Sequence, residues 1–528
     1  DTATGRDETA DAEATQITRA ARGTALNLVG AVVGAIVSFV TVGLITNVYG
    51  NAGAGLFFAA TAAFTLAANA ARLGAESSLT YFVSRFRADD RNRTIPSLVR
   101  LALTTTGATA AALGLIGFVT APQLSAVLTT DEAAAATSIT MIRILAVVVP
   151  TFTLSQAMFG ATRGFATMRP SVVAGQIIRP VSQLLFVGAV IAVSDDVWPL
   201  AVAWAASSAL TMASVGGWLR RRLRRIGGAE GGRRLPASGA EAGAGGNETG
   251  EALDAAEYWR FTAPRAVADL LSAALERLDV LLVAIIVGEV GAGMYGASSR
   301  LILAGQLMMI ATAQSMAPLL SANFMQGRLG EAQKVLRTIS GWNVILLWPV
   351  FICLAFGART ALSVFGSEFT DASSLVVVLA VGFLIIIGLG MGDTLLVMTG
   401  DSLASLLNHA LALAVMVGTA IVLLPTVGLV GAAWAWAASR ILIRLLAVWR
   451  VWRTKRIHAF GPPMLTAMAV AAVAYVPTGI MARITLGETF VALAVNVCFG
   501  TVVQLALLAV FRRRLELDRL LATLSREG

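Results

Sequence analysis

The sequence predicts an all-α polytopic membrane protein with about fourteen transmembrane helices, and three observations carry that expectation. The chain is 57% hydrophobic with a mean hydropathy of +0.76, and 13% of it is charged, against roughly 25% in soluble proteins. Its apolar residues gather in runs of about 20, the length a helix needs to cross hydrocarbon. Its Lys and Arg residues cluster between those runs on alternate sides, which sets orientation and puts both termini in the cytoplasm. The net charge of +9 then reports topology, and no nucleic-acid partner is implied. Cys353 and Cys498 lie in apolar runs and read as small core residues, so neither a disulfide nor a metal site is expected.

In chain order, residues 1–20 are acidic, small and polar, with no cleavable signal, and read as a disordered cytoplasmic tail. An N-lobe, 21–225, holds expected spans at 23–48, 53–84 (bent around Arg72 and Gly74), 97–120, 134–160, 171–193 and 197–219. Arg85, Arg87, Arg91 and Arg93, and later Arg220, Arg221, Arg222, Arg224 and Arg225, mark its cytoplasmic side. Residues 226–254 switch to Gly, Ala, Glu and Ser without apolar periodicity, as a flexible cytoplasmic linker does. A C-lobe, 255–456, repeats the pattern at 258–288, 291–324, 340–356, 372–398, 403–424 and 429–448. Two more spans, 462–482 and 489–511, occupy 457–511. In 512–528, Leu517, Leu520, Leu521 and Leu524 have the spacing of an amphipathic helix lying on the cytoplasmic surface. The loops expected outside carry only Arg359 and Arg483 as basic residues.

The two lobes repeat one another. Gly50-Asn-Ala-Gly-Ala-Gly55-Leu-Phe aligns with Gly288-Glu-Val-Gly-Ala-Gly293-Met-Tyr, and Ala203-Trp204-Ala-Ala-Ser207 with Ala435-Trp436-Ala-Ala-Ser439. With six spans between equivalent points, the lobes share one orientation and are related by a pseudo-twofold axis along the membrane normal, a two-lobed transporter plan.

The seventh expected span is unusual. Read at 100° per residue, it puts Arg265, Asp269, Ser272, Glu276 and Asp279 in a stripe about 80° wide on an otherwise apolar helix. Each charge near the bilayer centre costs at least ~2.5 kcal/mol, so the stripe faces protein, water or a substrate. On the first span, Gly30 and Gly34 form a GxxxG that suits close helix packing.

Several of these residues are familiar. Arg22-Gly-Thr-Ala-Leu-Asn, the Gly50 motif, Arg72-Leu-Gly74, Phe82-Val-Ser-Arg-Phe86 and Gly160-Ala-Thr-Arg-Gly164 resemble the polysaccharide flippases. So do Pro264-Arg265, Leu278-Asp279, Gly291-Ala-Gly-Met-Tyr295 and Ala317-Pro318. This is the Wzx-type branch of the multidrug/oligosaccharidyl-lipid/polysaccharide (MOP) exporter superfamily. The resemblance implies movement of a polyprenyl-(pyro)phosphate-linked oligosaccharide across a bacterial plasma (inner) membrane by alternating access, with membrane lipids and a glycan polymerase or glycosyltransferase as neighbours.

Such a substrate needs fixed cations in a wet cavity, and Arg suits it because its fork holds two phosphate oxygens at once. The candidates are Arg143, Arg72, Arg265 and Arg300, with Glu76 beside Arg72. Arg143 has no acid nearby in sequence, whereas Arg72 and Glu76, at i, i+4, equally suit a simple ion pair. Arg265 and Asp269 have the same spacing, and a structural bridge between Asp279 and Arg300, at equal depth across the Glu289 turn, is a further bland reading. Asp269, Glu276 and Asp279 are candidates for coupling to H⁺ or Na⁺. Asp393 and His409 read as packed or cytoplasm-edge residues. A cation-coupled exporter of small amphiphilic drugs is the alternative function. The sequence contains no Walker motif, nucleophile elbow or His/Cys metal spacing, so neither an enzyme nor a cofactor is expected.

Overall fold

The computed structural model describes residues 4–129, 131–231, 255–303, 328–392 and 402–512, together with 305, 306, 309, 396 and 514; side chains are described from Val29. No strand occurs among them. The first half comprises α1 (Thr4–Ala71), α2 (Ala75–Ala88), α3 (Ile95–Val119), α4 (Ala121–Leu128), α5 (Glu132–Gly164), a π-helical stretch (Ser171–Ile178), α6 (Arg179–Val193) and α7 (Pro199–Gly231). After it come α8 (Ala255–Val287), α9 (289–303), α10 (Leu329–Phe356), α11 (Ala358–Leu362), α12 (Ser373–Gly388), α13 (Ser402–Val427), α14 (Leu429–Lys455), α15 (Pro462–Leu486) and α16 (Phe490–Val510).

Eleven stretches among the described residues are long and apolar enough to cross a membrane. They are fewer than the fourteen expected. Val29–Ala88 runs continuously over two expected spans, α8 carries Glu276, Arg277 and Asp279 within its apolar half, and α9 is described only to residue 303. The stretch expected as a disordered tail is helical from Thr4. It contains no Pro, so a helix propagating outward from the first span meets no breaker there. Residues 232–254 of the expected linker, nearly all of the expected C-terminal tail, Asp393 and the Ala317-Pro318 pair lie outside the described residues. The short α4 between the third and fourth spans was not expected.

The chain forms two compact units. The first contains residues 1–41, 63–126 and 132–273, and the second 42–62, 127–131 and 274–528. The division therefore falls inside α1 and inside α8.

Within the first unit, α2 and α3 pack on α5, and α7 on α5 and α6. The core there joins Leu79, Phe82, Val83, Phe86 and Leu98 to Tyr258 at the start of α8. Phe82 and Tyr258 have ring centroids 5.8 Å apart, and Thr262 donates a hydrogen bond to Ser78 Oγ (2.9 Å). Gly30 and Gly34 pack against the π-helical stretch, where a Cβ on Gly34 would lie 2.9 Å from the Gln176 carbonyl oxygen. That is the close approach the GxxxG spacing predicts.

In the second unit, the two aligned glycine motifs meet each other. Gly50 (φ 65) and Gly288 (φ 94) each turn the chain in the left-handed region that favours glycine. Beyond these corners, a Cβ on Gly55 would lie 2.8 Å from Gly293 N, and one on Gly293 3.1 Å from Gly55 N. Each glycine also abuts the backbone that precedes the other, at Glu289 and Asn51 respectively. The contact is reciprocal, equivalent residues touching in both directions. Further along, α10 packs on α12 and α15, α13 on α14, and α15 on α16.

Candidate functional site

The charged residues of the spans collect in two places. In the first unit, α1 ends at Ala71 and the chain turns through Leu73 (φ 49) and Gly74 (φ 71) before α2 starts. A Cβ on Gly74 would lie 2.9 Å from Ala266 N, so α8 crosses directly over this break. The break frees Arg72 to reach in two directions. It pairs with Glu76, as the i, i+4 spacing predicts, and its Nη2 lies 3.8 Å from Asp269 Oδ2 on α8. The second oxygen of Glu76 pairs with Arg163 on α5. Arg163 stands in the Gly160-Ala-Thr-Arg-Gly164 motif, whose small residues let α5 lie against α2: Thr80 donates to the Gly160 carbonyl (3.0 Å) and Ser84 to the Gly164 carbonyl (3.2 Å). Arg72 and Arg163 thus form ion pairs with Glu76 and Asp269. Arg265 lies over the Phe261 ring at 4.7 Å while also acting electrostatically on Asp269.

The second cluster is built differently. Asp279 is 8% exposed. Its Oδ2 accepts from the Tyr295 hydroxyl (2.8 Å) and its Oδ1 from Val280 N (2.8 Å). At 1.5 Å per residue, Asp279 and Tyr295 lie roughly 14 and 10 Å from the Gly288 corner, so the long phenol spans the difference. Asp279 interacts electrostatically with Arg277, Arg300 and Arg440. Arg440, on α14, donates to the Leu275 carbonyl (3.0 Å). Among the described residues, the Nε atoms of all three arginines are buried without a hydrogen-bond partner. Three guanidiniums lie around one carboxylate, and among the described residues none of them forms an ion pair with it. The direct partner of Asp279 is Tyr295, where the sequence suggested Arg300.

The remaining candidates stand apart from both clusters. Arg143 is exposed on α5, its guanidinium 5.4 Å over the Phe118 ring, and no acidic side chain pairs with it among the described residues. Glu276 is exposed, likewise without an ion pair there. His409 is within 2.8 Å of the Ser405 carbonyl oxygen on its own helix. Sequence reading missed Arg163, Arg277, Tyr295 and Arg440 as members of these clusters. Arg163 and Tyr295 carried a signal, each from its place in a glycine-containing motif.

This helical plan has known counterparts. A structure of the lipid II flippase MurJ in an inward closed conformation superposes with a TM-score of 0.70 at 12% identity, covering 93% of this chain and 99% of that one. An inward-facing multidrug resistance MATE family transporter of the MOP superfamily gives 0.59 at 15% identity, covering 82% and 94%. A mutant of the Vibrio cholerae MATE transporter VcmN gives 0.59 at 13%, covering 84% and 98%. The fold is therefore that of the membrane transporters of the MOP superfamily. A search among curated proteins returned no match. The family described as "Polysaccharide biosynthesis protein" matches residues 20–324, more than half of the chain, and the chain belongs to that family.

Proposed function

We propose that this protein flips a polyprenyl-(pyro)phosphate-linked oligosaccharide from the inner to the outer leaflet of a bacterial plasma membrane, by alternating access. The observation that carries the reading is the excess of half-buried positive charge around Asp279. Removing a guanidinium from water is expensive unless a counter-charge accompanies it, and the described residues supply one carboxylate for Arg277, Arg300 and Arg440. A (pyro)phosphate brings the missing charge and accepts the bidentate hydrogen bonds that arginine offers. Family membership and the likeness to a lipid II flippase support the same reading. Arg143 is kept as a second anion contact, presented from an exposed face. Arg72 and Glu76 are assigned to holding α1, α2, α5 and α8 in register, and Arg265 to the rim of that cluster.

The alternative, export of small amphiphilic drugs driven by H⁺ or Na⁺, draws on the MATE likeness and on Asp269, Glu276 and Asp279. Of these, Asp269 is engaged by Arg72 and Asp279 by Tyr295. Ion coupling is therefore assigned to Glu276.

The deciding experiment measures leaflet accessibility of lipid-linked glycans in cells depleted of the protein and complemented with wild type or Arg300→Ala. Cytoplasmic-leaflet accumulation that wild type reverses and the variant does not is the expected result. Normal glycan distribution with altered sensitivity to cationic drugs would overturn it in favour of the exporter.

A further inference from the structure

A third polar site lies in the second unit, at the turn between α15 and α16. α10 ends at Phe356, α11 follows with Arg359 and Thr360, and the α15–α16 turn passes through Gly487 (φ 68). These ends surround a narrow recess lined by Thr360, Arg483, Glu488, Thr489 and Asn496 beside Phe356 and Leu493, with a cavity volume of about 10 Å³, room for about one water. Asn496 is 2% and Thr360 4% exposed. Thr478 donates to Asn496 Oδ1 (2.7 Å), while Asn496 Nδ2 and Thr360 Oγ1 have no partner among the described residues. Folded interiors rarely leave such groups unmet.

At the mouth, Glu488 pairs with Arg483 and lies 3.9 Å from Arg359. Two guanidiniums share one carboxylate, so a positive charge remains. Flanking it, Met481, Ile484, Phe490 and Val491 are all exposed, an apolar surface suited to acyl chains. The basic cluster Arg453, Lys455 and Arg456 precedes the opposite end of α15, which puts the recess on the extracytoplasmic side.

We propose that the mouth of this recess holds the phosphodiester headgroup of an anionic phospholipid of the outer leaflet, a phosphatidylglycerol. Arg359 and Arg483 hold the phosphate, and a water in the recess relays Asn496 Nδ2 and Thr360 Oγ1 to its oxygens. Glu488 accepts from the glycerol hydroxyls. The acyl chains lie along the exposed apolar side chains, which is why a lipid rather than a soluble phosphate is the occupant. The site is independent of which solute the protein moves.

The test uses the full chain in uncharged detergent, with binding read by native mass spectrometry and thermal melting. The probes are dioleoylphosphatidylglycerol, dioleoylphosphatidylcholine and glycerol phosphate. Phosphatidylglycerol is expected to bind and raise Tm, phosphatidylcholine to bind more weakly, and glycerol phosphate to do neither. The double variant Arg359→Ala/Arg483→Ala should weaken phosphatidylglycerol roughly 30-fold, about 5-fold for each arginine at a membrane surface. If that variant melts early without lipid, Arg483→Gln alone replaces it, with an expected loss of about 5-fold. Unchanged phosphatidylglycerol affinity in the reading variant overturns the site. Equal stabilisation by glycerol phosphate, or by phosphatidylcholine, overturns the anionic lipid as its occupant.

Discussion

The two charged clusters use the same residue types to opposite ends. Around Glu76, Arg72 and Arg163 are ion-paired with Glu76 and Asp269, both Glu76 oxygens are engaged, Arg265 acts on Asp269 from the rim, and the groups come from α2, α5, α8 and the break after α1. Around Asp279, three arginines lie near one carboxylate but none forms an ion pair with it among the described residues, and their Nε atoms, like that of Arg72 in the first cluster, are buried without a partner there. The first cluster joins helices through direct ion pairs, whereas the second leaves its arginines without one among the described residues, which is why the proposed function places the anion at the second. Direct ion pairing, more than the mere presence of arginine in a span, is what distinguishes the two.

The sharpest way to break this comparison is to remove an arginine from the second cluster. Arg300→Ala should cut transport of the lipid-linked substrate in proteoliposomes by about 10- to 100-fold, the scale of ~1.5–3 kcal/mol for a charge-assisted contact, with no loss of thermal stability. A marked fall in Tm would instead make Arg300 structural. Next in size is Glu76→Ala, which leaves Arg72 and Arg163 half-buried without their shared acceptor. It should destabilise the protein by roughly 2–3 kcal/mol, below the 3–5 typical of fully buried pairs because these groups keep some solvent. Melting in detergent measures it, and transport per folded molecule should survive. Tyr295→Phe removes one donor from buried Asp279 and is expected to cost about 1–2 kcal/mol, read in the same melts. The smallest stability effect belongs to Arg143→Ala, within about 0.5 kcal/mol for an exposed site. Its transport defect should be milder than that of Arg300→Ala, and an equal one would move the main anion contact to α5.

Much of this was legible in the sequence, for identifiable reasons. Spans announce themselves through hydropathy because lipid tolerates few alternatives, and the bend at Arg72 and Gly74 and the corners at Gly50 and Gly288 are written in local residues. The Arg72–Glu76 pair is also local, four residues on one helix. What stayed hidden depends on tertiary distance. Nothing in the sequence links Arg163 to Glu76, Arg72 to Asp269 or Arg440 to Leu275, since each pair meets only once helices have packed. The hydrogen bond from Tyr295 to Asp279 was hidden for a related reason. Equal depth across the turn favoured Arg300, but depth alone does not set azimuth, and Tyr295 occupies the facing side of α9. Aromatic hydroxyls in apolar runs read as core until a buried acid is seen beside them.

The reciprocal seat of Gly55 on Gly293 has the geometry of an isologous dimer interface, in which one patch meets its own copy across a twofold axis. Here both copies lie in one chain, so the second half did not have to find its partner by diffusion. The two glycines consequently constrain each other through inheritance: a bulkier residue at either position needs a compensating retreat in the opposite copy. In such a protein, the corner joining the halves should be among the slowest places for them to diverge, while the charged clusters, having no twin to match, are free to become different.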